Sequence, residues 1–177
     1  MNRTRTTIAA VVTIGAATVA TTLLNPGVAS SAPTTQDGVK AATARYHSVQ
    51  QAVRDGYSGE HEPCVSSPAG FTPAGAMGFH YVNAELIADP KVDPLKPEIL
   101  LYAPNKQGKP VLVGVEYLVL DPKRELTSAP TLFGETFQGP MAGHAPGMPI
   151  HYDLHKWVWS DNPSGEYAPF NPTLSCG

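Results

Sequence analysis

Gly139-Pro140-Met141-Ala142-Gly143-His144-Ala145-Pro146-Gly147-Met148-Pro149-Ile150-His151-Tyr152-Asp153-Leu154-His155-Lys156-Trp157-Val158-Trp159 is the stretch on which the fold of this chain turns. Its first half, 139–149, carries three prolines and three glycines and reads as a shaped loop rather than a helix. Its second half, 150–159, has neither and is dense in aromatic and branched side chains, the composition of a β-strand. Strand side chains alternate between faces. His151, Asp153, His155, Trp157 and Trp159 are therefore expected on one face, and Ile150, Tyr152, Leu154, Lys156 and Val158 on the other. Two imidazoles and a carboxylate then stand in a row.

Three upstream segments share the strand composition. Residues 77–82 place Gly78, His80 and Val82 on one face and Met77, Phe79 and Tyr81 on the other, which leaves room beside His80. Residues 98–103 and 111–120 read as two strands joined by a hairpin loop at 104–110, with Asn105 and Gly108 as turn residues. The second of these is the most apolar run after the leader. It puts Val111, Val113, Val115, Tyr117 and Val119 on one face and Leu112, Gly114, Glu116, Leu118 and Leu120 on the other. Glu116 is thus a carboxylate in the middle of an apolar strand, where it requires a cation or hydrogen-bond donors. Residues 83–97, with three prolines, read as a connection holding one helical turn at 84–87. Residues 121–149 form a 29-residue connection with a short turn at 132–134, and ordered loops of that length usually serve a site.

Before the strands, Asp37 is expected to cap one amphipathic helix. Its apolar positions Val39, Ala42, Tyr46, Val49, Val53 and Tyr57 recur at steps of three and four, and Gly56 ends it. His47, at the edge of that stripe, reads as a solvated or capping histidine, and His61, between Glu60 and Glu62, as solvent-facing. Residues 1–31 have the layout of a cleavable export signal: Arg3 and Arg5, an apolar run at 8–24, then small residues at 27–32. A membrane anchor is the other reading of that run, but the small residues directly behind it favour cleavage. Arg3 and Arg5 are not adjacent, which argues against the twin-arginine route, and no Cys stands near the cleavage site to take a lipid. One secreted domain, 32–177, remains. It keeps 10 basic against 15 acidic residues, net −5, which gives no reason to expect nucleic acid or an anionic membrane as a partner. The two cysteines of an exported chain, Cys64 and Cys176, are expected to pair as a disulfide. Thiolate metal ligation is the weaker alternative, since no C-x-x-C spacing is present.

His80, Glu116, His151 and His155 each fall on the less apolar or glycine-bearing face of a strand. Three imidazoles and a carboxylate are a common ligand set for Zn, Mn, Fe or Cu, provided a small sheet curls to bring them together. The competing reading is of ordinary histidines satisfied in a core. In the proposed arrangement Asp153 orients an imidazole, and His144 or Met148 from the long loop covers the open position. Every methionine after the leader stands three residues before a histidine: Met77 before His80, Met141 before His144, Met148 before His151. Soft thioethers mixed with imidazoles in an exported chain tilt the expected metal toward copper over zinc or iron, although Met also fills irregular gaps. On a regular strand Met77 and His80 face opposite ways, so both could reach one ion only across a bulge. No Gly-rich phosphate loop, G-x-S-x-G elbow, His-Glu-x-x-His helix or C-x-x-C pair is present.

The run Pro146-Gly147-Met148-Pro149-Ile150-His151 resembles the start of the first cupin motif, in which a Pro-Gly turn precedes a metal-binding histidine on a barrel strand. Asp153 stands where cupins have a second histidine, and 22 residues after His155 are too few for a second motif, so the resemblance carries over His151 alone. The segments Met77-Gly78-Phe79-His80-Tyr81-Val82-Asn83 and Pro146 to His155 are also similar to those of uncharacterised secreted bacterial proteins. The fold expected is mainly β: a small antiparallel barrel or sandwich, cupin-like, with one N-terminal α-helix and long Pro/Gly-rich loops. The function expected is a secreted metal-binding protein with a mononuclear His/Glu site. Two alternatives stay open. One is a metal-free barrel binding a small apolar ligand between Tyr81, Tyr117, Trp157 and Trp159 with Glu116 and His80 as anchors; the other is a metal-dependent oxygenase or hydrolase.

Overall fold

The computed structural model describes residues 36–59, 63–144 and 147–177. The leader at 1–31, His61 with its two glutamates, and Pro146 lie outside those residues. In chain order the elements are α1 (Gln36–Thr43), a 3₁₀ turn (Ala44–His47), α2 (Val49–Arg54), β1 (Tyr57–Ser58), β2 (Val65–Ser66), β3 (Ala76–Asn83), α3 (Ala84–Ala88), β4 (Ile99–Pro104), β5 (Pro110–Leu120), β6 (Thr131–Leu132), β7 (Glu135–Thr136), β8 (Gln138–Met141) and β9 (His151–Lys156).

Seven strands form one antiparallel sheet in the order β1-β3-β4-β5-β9-β8, with β2 also on β3, and β6 and β7 make a separate two-stranded ribbon. The sheet does not close, so the expected barrel is not formed. Its edge strands are two to four residues long, too short a ladder for one edge to pair with the other.

The sheet buries both faces. One packs Leu100, Tyr102, Val115, Tyr117, Tyr152 and Leu154 against Val39, Tyr46 and Ala52 of the helical segment. The opposite face carries Ile99, Leu101, Val113, Leu118 and Trp157, and with them the ligand-type side chains. Both clusters draw on β5, and a bulge decides its sides. Leu101 pairs with Gly114 but Tyr102 with Leu112, so Val113 is the extra residue and the alternation reverses there. Val113 therefore sits with Leu118 rather than with Val115 and Tyr117 as strict alternation predicts.

The single helix expected over 37–56 is two short ones. Ser48 caps α2 by accepting from the Gln51 N–H at 3.3 Å, and the 3₁₀ turn before it breaks the phase of the apolar stripe. Val53, expected on the buried stripe, is consequently 55% exposed. Asp37 lies inside the first turn of α1 rather than at its cap, still favourable to the helix dipole. Tyr57 leaves the helix for β1, where its hydroxyl donates to the Pro97 carbonyl at 2.7 Å.

The last strand stops at Lys156. Trp157 stays on the ligand-bearing side, but Trp159 turns to the helical side, meets the His47 ring edge-on at 4.3 Å and donates to Thr43 Oγ1. The 121–149 connection holds more structure than its sequence suggests: the β6–β7 ribbon turns at Phe133-Gly134, and β8 pairs with β9 despite Pro140. An edge strand has one side without a ladder, so a missing N–H there costs little. Cys64 and Cys176 form a disulfide with Cα atoms 5.6 Å apart, which ties the C-terminal segment to the residues leading into β2, well past the end of the helices.

Candidate metal centre

Three strands deliver His80, Glu116 and His155 to one spot. Glu116 is directly opposite His155 in the β5–β9 ladder and opposite Ile99 in the β4–β5 ladder, while His80 pairs with Leu101 across β3–β4. His80 Nε2 lies 3.2 Å and His155 Nε2 3.6 Å from Glu116 Oε2, and one donor atom from each of the three residues lies within 4.8 Å of the others. All three side chains are buried.

His151, expected as the fourth ligand, belongs elsewhere. On a strand rising about 3.3 Å per residue, positions four apart are roughly 13 Å apart at Cα, too far for His151 and His155 to share an ion. His151 instead groups with His144 and Asp153, again with donor atoms within 4.8 Å of one another. The His144 and His151 rings meet at 5.2 Å. Asp153 Oδ1 is 3.9 Å from His155 Nδ1, too long for a hydrogen bond to that ring. One strand face thus feeds two adjacent groups of donors.

Buried polar atoms in folded proteins find partners, and those that do not require an explanation. Within the two groups, His151 Nε2, Asp153 Oδ1 and both ring nitrogens of His155 are buried without a hydrogen bond. Burial alone would raise the Glu116 carboxyl, but the imidazoles of His155 and His80 reverse this and hold it below the usual carboxylate range. Burial lowers His155, outweighing the attraction of Glu116. Burial, reinforced by Glu116 and opposed by His80, pushes the Asp153 carboxyl up.

Two cavities flank the donors. One, of about 270 Å³, is walled by Val82, Ile87, Ile99, Leu118 and Met148 and reaches His80, Glu116 and His144. The other, of about 470 Å³, touches His80, Glu116, His144, Asp153 and His155 under Phe71 and Phe170. Met77 and Met141 line the second and Met148 the first, so all three post-leader methionines border the donor groups. The bulge that Met77 requires is present. Val65 pairs with Gly78 and Ser66 with Ala76, Met77 falls between, and Gly78 adopts φ +101°.

The pocket expected between Tyr81, Tyr117, Trp157 and Trp159 is not assembled. Tyr81, Tyr117 and Trp159 pack on the helical side and only Trp157 on the other. Glu98 and Lys156 are among the buried ionisable groups that escape the sequence reading. Glu98 accepts from the Leu118 N–H at 3.2 Å. Lys156 meets Glu166 and Tyr167. Glu98 directly precedes β4 and Lys156 ends β9, and a charged side chain at either position is by default expected to be exposed. No protein-family model, curated protein or solved structure matches this chain.

Proposed function

We propose that this is a secreted protein that binds a transition-metal ion through His80, Glu116 and His155. The observation that carries it is the convergence of two buried imidazoles on one buried carboxylate from three strands, with His155 nitrogens that nothing in the described structure hydrogen-bonds. Two nitrogens and an oxygen suit zinc, iron or copper, and three ligands leave positions open toward the cavities. Met77, Met141 and Met148 around those cavities favour copper, whose reduced form takes thioether donors. Export fits the disulfide, which persists in oxidising compartments, and the leader-like layout of residues 1–31. No helix among the described residues is long and apolar enough to cross a membrane.

Metal analysis of exported protein should find at least one equivalent of copper or zinc per chain. Added metal at about 100 times Kd should stabilise the fold by roughly 2.7 kcal/mol. His155→Ala should weaken binding at this centre by 100-fold or more. Protein that carries no metal and shows no thermal shift with Cu(II) or Zn(II) would refute the reading.

A second reading draws on the smaller cavity, whose walls are apolar and which ends on His80 and Glu116. An apolar molecule held there beside an open metal position would make the protein a metal-dependent oxygenase or hydrolase. Displacement of a hydrophobic fluorophore by small apolar compounds, abolished by a chelator, would support it.

A further inference from the structure

We infer that His144, His151 and Asp153 form a second cation site, which makes the centre a two-ion one. The inference extends the metal reading of the neighbouring triad but rests on different atoms. His151 Nδ1 lies 2.9 Å from the Pro149 carbonyl oxygen, which can only accept a hydrogen bond. Nδ1 must therefore carry the proton, and in the neutral ring Nε2 is left with its lone pair. That nitrogen is buried, has no hydrogen-bond partner, and belongs to a side chain that is 0% exposed. An imidazole that donates one ring N–H to a backbone carbonyl and keeps the other nitrogen buried and without a hydrogen bond, in a group of ligand-type side chains, has the arrangement of a metal ligand held by its surroundings.

Asp153, 5% exposed, adds Oδ1, likewise buried without a hydrogen bond. His144 completes the group from the loop, and it is the exposed member. A Cβ on Gly143 would collide with the Met148 carbonyl, so the chain on either side of His144 comes close at a glycine, and the His144 ring lies 5.2 Å from that of His151. Met141, paired with His151 across β8 and β9, borders the same cavity as His144 and Asp153. Two imidazole nitrogens and a carboxylate oxygen, with a thioether close by, select a borderline divalent ion such as Cu(II) or Zn(II). Asp153 Oδ1, 3.9 Å from His155 Nδ1, makes the two groups neighbours on one strand face. The second site has a ligand on an exposed loop and the first has none, so the second should fill later and exchange faster.

The test is a calorimetric titration of the full exported chain with Zn(II), repeated with Co(II) to count sites by absorption. Wild type should bind two equivalents, the second more weakly. His144→Ala, which changes an exposed loop residue and should leave the metal-free melting temperature unmoved, should lose the second equivalent or weaken it at least 10-fold while the first stays within about threefold. His155→Ala should do the converse. One equivalent in wild type, or two undiminished equivalents in His144→Ala, would overturn the second site and leave the triad standing. No bound metal at all would overturn both.

Discussion

At the residue scale, the informative side chains are the charged groups that the sheet buries on both faces. Glu116 was legible because a carboxylate centred in an apolar run demands a partner, and His80 and His155 stand beside it at 3.2 and 3.6 Å. Glu98 was not, since the sequence shows a carboxylate at a strand start and nothing that announces burial. Burial pushes its carboxyl from the ordinary 4.5 up to about 7. The folded-state value is the higher one. Between about pH 4.5 and 7 the unfolded chain gives up this proton while the folded chain keeps it, so stability falls as pH rises through that window. Glu98→Gln retains an oxygen to accept from the Leu118 N–H. It should match wild type near pH 4 and exceed it by roughly 1–3 kcal/mol above pH 7. Urea denaturation at the two pH values checks this, and a gain that does not depend on pH would refute the buried-carboxylate explanation.

Elements were legible where period and composition agree. The β3, β4, β5 and β9 strands lie within a residue or two of their expected bounds, except that β9 stops three residues short, and α3 occupies the helical turn expected after Asn83. Departures come from local interruptions of a period. Ser48 splits the helix, Val113 reverses the faces of β5, and Gly78 bends β3 so that Met77 and His80 border the same cavity. Gly78 also leaves no room for a side chain: a Cβ would collide with the Tyr102 carbonyl, and φ +101° disfavours any other residue. Gly78→Ala should cost roughly 2–4 kcal/mol. It should also weaken metal binding by displacing His80, although no ligand is removed. A variant as stable as wild type by thermal unfolding would show that the β3 bulge is not a constraint.

At the scale of the whole molecule, one antiparallel sheet is covered by helices on one face and by loops, the C-terminal segment and a disulfide around the other. The bridge closes a loop with a sequence separation of 112. In the chain-entropy model a loop of that length is worth about 4–5 kcal/mol. Cys176→Ser should lower the unfolding free energy by up to that amount; a loss below about 1 kcal/mol would mean that the unfolded chain is already compact. Because Pro169 and Phe170 wall the larger cavity, the same variant should also speed metal release. The sequence by itself determined the strands, the disulfide partners, the buried Glu116 and the alternation that puts His151, Asp153 and His155 on one face, because these follow from composition and from the two-residue period of a strand. Only the tertiary structure decided that the sheet stays open, which aromatic rings face which side, and that the donors fall into two groups rather than one. Those outcomes depend on distances between strands and along them. Roughly 13 Å separates positions 151 and 155 along β9, whereas the ladder sets 116 beside 155, and cross-strand register is not written in the order of residues along the chain.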